Sequence, residues 1–211
     1  MPLPAKQTLP RNWPSSITYT PIPVHSPNLS STELRTLHPP RSTSSLVPAL
    51  KIPLHSPSYI SILPITTPGH PARGQHGLFA AEDLRPGSHI IFYIGFVHGN
   101  SDKENHSTSD YDLSLVREAV KLGVDGEQMG NEARFVNDYR GALVQAPNAE
   151  FRDVWAEYAH GKETRIERCI AIFVREAGKS GKWKNGIRRG EEILVSYGKG
   201  FWGARKEMDE A

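Results

Sequence analysis

The sequence predicts a mainly β fold of small sheets with a few short helices, preceded by a disordered N-terminal tail. Three observations predict it. Proline is crowded toward one end: 15 of the 17 prolines lie at or before Pro71. Beyond residue 58 the apolar residues fall in short β-branched runs bounded by glycine-rich turns. Strict strand–helix–strand alternation is missing, which argues against a doubly wound nucleotide-binding sheet.

Residues 1–57 read as the tail. Residues 1–56 carry Lys6, Arg11, Arg35, Arg41 and Lys51 against one acid, Glu33, a net +4, so the rest of the chain holds −2 of the total +2. The segment is rich in Ser, Thr and Pro and shows no sustained strand or helix period. Such a chain buries too little apolar surface to offset its ordering entropy. The stretch TPIPVHSP is expected as extended, polyproline-like chain. Trp13 and Tyr19 are the residues able to anchor it, and its basic charge reads as a solvated linker.

A folded domain is expected over 58–205, with 206–211 a short flexible tail. YISILPI (59–65), HIIFYIGFV (89–97), DYDLSL (110–115), IERCIAIFV (166–174) and EEILVSYG (191–198) read as strands. The density of the second suggests burial on both faces. VREAVKLG (116–123) reads as a short helix, and NAEFRDVWAEYA (148–159) has helical spacing in part. The Gly/Lys-rich stretch 176–190 reads as a long loop.

Composition excludes several classes. Cys169 is the single cysteine, so there is no intramolecular disulfide and no thiolate-rich zinc cluster. No metal is expected. The longest apolar run, 90–97, is eight residues, against about 20 needed to span a bilayer. The first 13 residues hold no apolar signal region. An intracellular protein of a reducing compartment is expected, with no membrane and a monomeric state. Lys179, Lys182, Trp183, Lys184, Arg188 and Arg189 cluster in one Gly-rich loop with a single aromatic. That reads as a solvated loop, and no direct nucleic-acid contact is expected.

Four stretches carry chemistry-bearing residues in order: GQHGLFAAEDLRPG (74–87), Tyr93-Ile94-Gly95, GNEARFVN (130–137) and GEEILVSYG (190–198). Glycines in the first let a ligand press against backbone. Together they resemble the SET domain, the fold of most protein-lysine methyltransferases. The resemblance covers roughly 58–202, and GNEARFVN and GEEILVSYG are its specific parts. It implies small β-sheets with a knot-like C-terminal threading, and S-adenosylmethionine as methyl donor to a lysine side chain of a histone or non-histone protein. By the same analogy it implies a chromatin substrate and nuclear residence, with the cytoplasm as the other compartment.

The resemblance assigns roles residue by residue. Tyr197 is implied as the catalytic tyrosine and Tyr93 as part of the lysine channel. Asn137 is implied to hold the cofactor's amino-acid end, with backbone groups of Gly77, Leu78 and Phe79. Tyr111, Asp138 and Trp202 are implied at the cofactor as well. Phe151 and Val195 are implied to line the substrate channel, where the phenyl ring of Phe151 would permit di- or trimethylation. Arg134 reads as structural. Two departures stand out. Asp138 replaces the family's histidine, and Pro147-Asn148 arrives five residues late. The rival reading is therefore a catalytically inactive SET-like module that binds a peptide or protein partner.

Overall fold

The structure is a computed structural model that describes residues 8–39, 48–99, 106, 108–117, 120–142, 144–179 and 181–198. It is mainly β, with one α-helix and one 3-10 turn among the described residues. The strands are β1 (Thr18–Tyr19), β2 (Val24–His25), β3 (Ala49–Lys51), β4 (Ile60–Pro64), β5 (His76–Ala80), β6 (His89–Tyr93), β7 (Phe96–Gly99), β8 (Asp112–Arg117), β9 (Lys121–Asp125), β10 (Met129–Gly130), β11 (Asn137–Asp138), β12 (Ala149–His160), β13 (Glu163–Val174) and β14 (Leu194–Val195). The helix α1 spans Ser31–Leu37, and the 3-10 turn spans Glu132–Phe135.

They assemble into five small sheets: β3-β12-β13-β6, β2-β7-β9-β8, β4-β5, β1-β10 and β11-β14. The run 89–97 supplies two strands, broken at Gly95. A Cβ there would run into the Asp125 carbonyl, so the chain can turn at that point only without a side chain. Residues Ile90 to Ile94 are all buried, with Ile90, Ile91 and Tyr93 in one apolar cluster and Phe92 and Ile94 in the other. Burial on both faces is what the density of that run predicts.

Both helical expectations in the domain fail. Residues 116–117 end β8 and residues 121–123 begin β9, paired as Val116↔Leu122 and Arg117↔Lys121. Residues 149–160 form β12, paired with β13 along its full length from Ala149↔Val174 to His160↔Glu163. Phe151, Val154, Trp155 and Tyr158 are the aromatic and β-branched residues that suit a strand, and a long partner outweighs local helical spacing. Within 176–190, residues 182–185 form a turn, and Arg175 and Lys182 each place their charged group 4.4 Å from the Trp183 ring centroid.

The expectation of a disordered tail is corrected over residues 8–39 and 48–57. β1 pairs with β10, β2 with β7 and β3 with β12, all in parallel. These pairings cover edges that would otherwise be open to aggregation. Leu29, Leu37 and Ile52 are buried. The helix carries a full capping box, in which Ser30 Oγ accepts from Glu33 N and Glu33 Oε2 accepts from Ser30 N. The signal is the S-x-x-E spacing of Ser30 and Glu33, visible in the sequence beneath its proline content.

The C-terminal ribbon completes the fold. Ile193 N donates to Leu78 O and Ala80 N to Glu191 O on one side. On the other, Tyr139 N donates to Val195 O and Asn148 N to Leu194 O. The ribbon thus runs between β5 and the segment that follows the 3-10 turn, the knot-like threading expected of the fold.

Candidate active site

The site forms where β6, the 3-10 turn and the C-terminal ribbon meet. Asn131 builds the junction. Its Oδ1 accepts from Ile94 N and Ala133 N, and its Nδ2 donates to Phe92 O at 2.9 Å. It caps the 3-10 turn and ties it to the end of β6. Arg134 is 8% exposed and donates Nε to Gly126 O at 2.8 Å. Its guanidinium lies over the rings of Tyr111 and Phe135, at 4.3 and 5.0 Å.

Two phenols follow, Tyr93 buried and Tyr197 half-buried. Tyr93 Oη donates to Tyr111 O at 2.7 Å, and Tyr197 Oη donates to Val136 O at 2.6 Å. Burial pushes the hydroxyl pKa of both well above the ordinary range; the neighbouring Tyr197 adds to this for Tyr93, and Asp138 for Tyr197. Both are therefore neutral phenols whose protons are committed to carbonyls. They can offer oxygen lone pairs to a partner, and they cannot serve as phenolate bases. Gly126 leaves room for the first, since a Cβ there would stand 2.9 Å from Tyr93 Oη. Phe151 packs edge-on against Tyr93, with ring centroids 6.1 Å apart.

A cavity of about 430 Å³ opens beside these groups, and Tyr111, Arg134, Asn137, Asp138 and Tyr197 line it. That volume suits a small-molecule ligand. Asn137 Nδ2 donates to Glu192 Oε1 at 2.8 Å. This fixes the amide so that its Oδ1 is the atom left to accept from a ligand. Asp138 is turned elsewhere. Its carboxylate accepts from Tyr197 N at 2.6 Å and from Arg140 N and Nη1 at 2.8 and 2.9 Å. An acceptor here holds the ribbon that carries Tyr197.

The remaining sequence-predicted residues are distributed around this centre. Gly77, Leu78 and Phe79 lie in β5, behind the wall formed by Gln75 and His76. Leu78 is fully buried and its carbonyl is taken by Ile193 N. Gly77 sits close in: a Cβ would stand 2.6 Å from Glu192 Oε1 and 3.2 Å from Asn137 Nδ2. Val195 lies in the ribbon itself, fully buried and paired with Asp138. Trp202 lies outside the described residues. Sequence reading missed three residues. Asn148 donates Nδ2 to Glu192 O and accepts Leu194 N on Oδ1, both at 2.8 Å, so one side chain stitches the ribbon like a strand partner. Its Pro-Asn pairing was the available signal. Glu192 lay in plain view in the fourth motif. His70 comes from the turn before β5, and no spacing marked it. Among the described residues no group of three or more His, Cys, Asp or Glu is placed to hold a metal ion, and no helix is long and apolar enough to cross a membrane.

The family model for the SET domain matches residues 75–198. The chain belongs to the SET-domain family. Members of this family are in general protein-lysine methyltransferases. The matched span contains the motifs described above apart from Gly74 at the start of the first, and leaves β1 to β4 outside it. No curated protein matches the chain. Solved structures similar to it include the Chaetomium thermophilum Polycomb Repressive Complex 2, at 20% identity, over 72% of this chain and 17% of that one, with a TM-score of 0.45. The same complex in an autoinhibited conformation bound to S-adenosylmethionine is similar at 20% identity, over 74% and 17%, with a TM-score of 0.46. A humanized mutant bound to an inhibitor gives 21%, 73%, 17% and 0.48. This SET protein spans less than a fifth of the length of those chains.

Proposed function

We propose that this SET protein transfers a methyl group from S-adenosylmethionine to a lysine side chain of a histone or non-histone protein, with the nucleus as its site of action. The observation that carries the reading is the pair of neutral phenols, Tyr93 and Tyr197, beside a cavity walled by Asn137, Tyr111 and Arg134. The cavity fits the cofactor on its own terms. Asn137 lines it with its amide held by Glu192 and its Oδ1 acceptor unspent, and the absence of a side chain at Gly77 is what lets Glu192 reach that amide.

When bound, S-adenosylmethionine supplies an electrophilic methyl on a sulfonium, which a neutral lysine amine takes up with loss of one proton. The chain's own residues position and desolvate. Asn137 Oδ1 and the backbone near Gly77 would hold the amino-acid end, and Tyr111 would flank the ligand. Tyr197 and Tyr93 would present lone pairs to a carbon of partial positive charge through weak C–H···O contacts. Phe151 and Val195 would keep the lysine channel apolar, which favours the uncharged amine.

Calorimetry with S-adenosylmethionine, followed by mass spectrometry of histone and non-histone substrates, tests the reading. Tyr197→Phe is expected to lower kcat roughly 100- to 1,000-fold, the range for losing one oriented catalytic dipole, with cofactor affinity nearly unchanged. A chain that binds no cofactor at millimolar concentration overturns it. One observation favours a second reading, a peptide-binding module without catalysis: the Asp138 carboxylate is spent on Tyr197 N and Arg140. Peptide binding without methyl transfer, in the presence of bound cofactor, would select it.

A further inference from the structure

We infer that Ser109 is a positioning residue for methyl transfer: anchored on Asp125, its hydroxyl fixes the Tyr111 backbone, and the Tyr111 carbonyl in turn holds the Tyr93 hydroxyl. The inference deepens the proposed function and rests on it, because Tyr93 has a part in catalysis only if the chain transfers methyl groups.

The anchor sits on a rigid element. Asp125 ends β9, where it is paired with Phe96 of β7 and Asp112 of β8, and it is 5% exposed. Its carboxylate is shared among three groups. Oδ1 accepts from Ser109 Oγ and from Glu127 N, both at 2.8 Å, and Oδ2 lies 2.7 Å from His106 Nδ1. The segment that leads into β8 is thereby tied to the turn that follows β9. Thr108 and Asp110 are exposed, and Ser109 between them is half-buried with its hydroxyl on the carboxylate.

From Ser109 the hydrogen bonds run on to the phenol. Ser109 Oγ accepts from Tyr111 N at 3.1 Å. A hydroxyl has one proton and two lone pairs, so it donates to Asp125 and accepts from Tyr111 at the same time. The Tyr111 carbonyl accepts from Gly126 N at 3.1 Å and from Tyr93 Oη at 2.7 Å. The second of these bonds takes up the Tyr93 proton and so sets the direction of the oxygen's lone pairs. The Tyr111 ring lines the cavity, so one residue meets the cavity with its ring and the phenol with its carbonyl. A shift of that backbone by about 1 Å would re-aim the Tyr93 oxygen, and misplacement on that scale costs about 100-fold in rate.

The test is nuclear magnetic resonance on the full chain, with tyrosine isotope-labelled at ring Cζ, the carbon that carries the hydroxyl. Tyr93→Phe and Tyr197→Phe assign the two signals. Ser109→Ala is expected to move the Tyr93 signal and to leave that of Tyr197, which is bonded to Val136 O, in place. Ser109→Thr keeps the hydroxyl and is expected to return the Tyr93 signal to its wild-type position. In parallel, kcat for methyl transfer is expected to fall about tenfold or more in Ser109→Ala and to recover in Ser109→Thr. An unmoved Tyr93 signal, equal movement of both signals, a Ser109→Thr protein no better than Ser109→Ala, or an unchanged kcat overturns the inference. If Ser109→Ala does not fold, Ser109→Cys, whose thiol makes weaker hydrogen bonds, is read by the same criteria. The resonance readout needs neither cofactor nor turnover, so an unmoved Tyr93 signal sinks this inference and leaves the proposed function standing. Wild-type protein that transfers no methyl group, with the Tyr93 signal responding as expected, overturns the proposed function and with it the catalytic part of this inference.

Discussion

Two ribbons flank the SET core, one early in the chain and one late, and different chemistry holds them. The early ribbon, residues 8–37, attaches through the two-residue strands β1 and β2 and through buried charge. His25 Nε2 lies 2.9 Å from Glu167 Oε2, His38 Nε2 lies 3.7 Å from Oε1, and the Glu167 side chain is 1% exposed. Trp13 adds an edge-on ring contact to Phe135, itself on the cavity wall. The late ribbon, residues 190–198, is held chiefly by amide and backbone groups, with Asn148 at its centre and Asp138 as a charged partner. The difference teaches where each ribbon is vulnerable. A latch built on a buried carboxylate responds to acid, whereas amide stitches respond only to the loss of the side chain that makes them.

Deleting residues 1–57 breaks the comparison most severely. Three buried aliphatic side chains, Leu29, Leu37 and Ile52, leave with the deleted segment, at about 1.5–3 kcal/mol each. That sum approaches the whole stability of a small domain, about 5–15 kcal/mol, and β7, β10 and β12 lose covering partners. The expected outcome is loss of a cooperative thermal transition by circular dichroism. A truncated chain that melts within a few degrees of the full one would show that the ribbon only decorates the core.

The late ribbon is tested by Asn148→Ala. It removes two aligned hydrogen bonds and leaves the Glu192 carbonyl and Leu194 amide without side-chain partners. A loss of about 2–4 kcal/mol is expected by urea denaturation, with cofactor affinity falling because Glu192 is no longer held. Retained stability would mean that the backbone pairings alone carry the ribbon.

The charged latch is sharpened by Glu167→Gln. Burial pushes the Glu167 carboxyl up, but the His25 hydrogen bond and charge, then Tyr158 and His38, outweigh it, so its pKa lies below the ordinary 4.5. A carboxyl lowered on folding contributes stability above its unfolded value, lost as pH falls through the folded one. Glu167→Gln is expected to cost about 1–3 kcal/mol near neutrality, a gap that shrinks below pH 4.5. A pH-independent difference between the two proteins would remove the latch.

Phe151→Tyr leaves both ribbons intact and should have the smallest effect on stability. Phe151 packs on Tyr93, and an added hydroxyl would bond the amine or a water in the channel. Product is expected to shift toward monomethyl-lysine by mass spectrometry, from di- or trimethyl in the unmutated protein. Monomethyl product from both would exclude this role for Phe151.

By itself the sequence determined the fold class, the burial of residues 90–94 on both faces of a strand and the family, because these rest on local composition and on motifs such as GNEARFVN that need fixed spacing. It also marked Tyr93, Asn137 and Tyr197 for the site. It did not determine the state of residues 149–160, where twelve paired residues of β13 override helical spacing, nor the order of residues 8–39 and 48–57, where three parallel edges give a proline-rich chain partners it cannot find alone. Tertiary structure alone brought Asn148 against Leu194, 46 residues away, and His25 against Glu167, 142 residues away. It likewise turned Asp138 toward Tyr197 and set His70 beside Glu192. The physical reason is common to all of these. Burial, and the hydrogen bonds that burial makes obligatory, are properties of chain crossings, and a crossing leaves no period in the sequence.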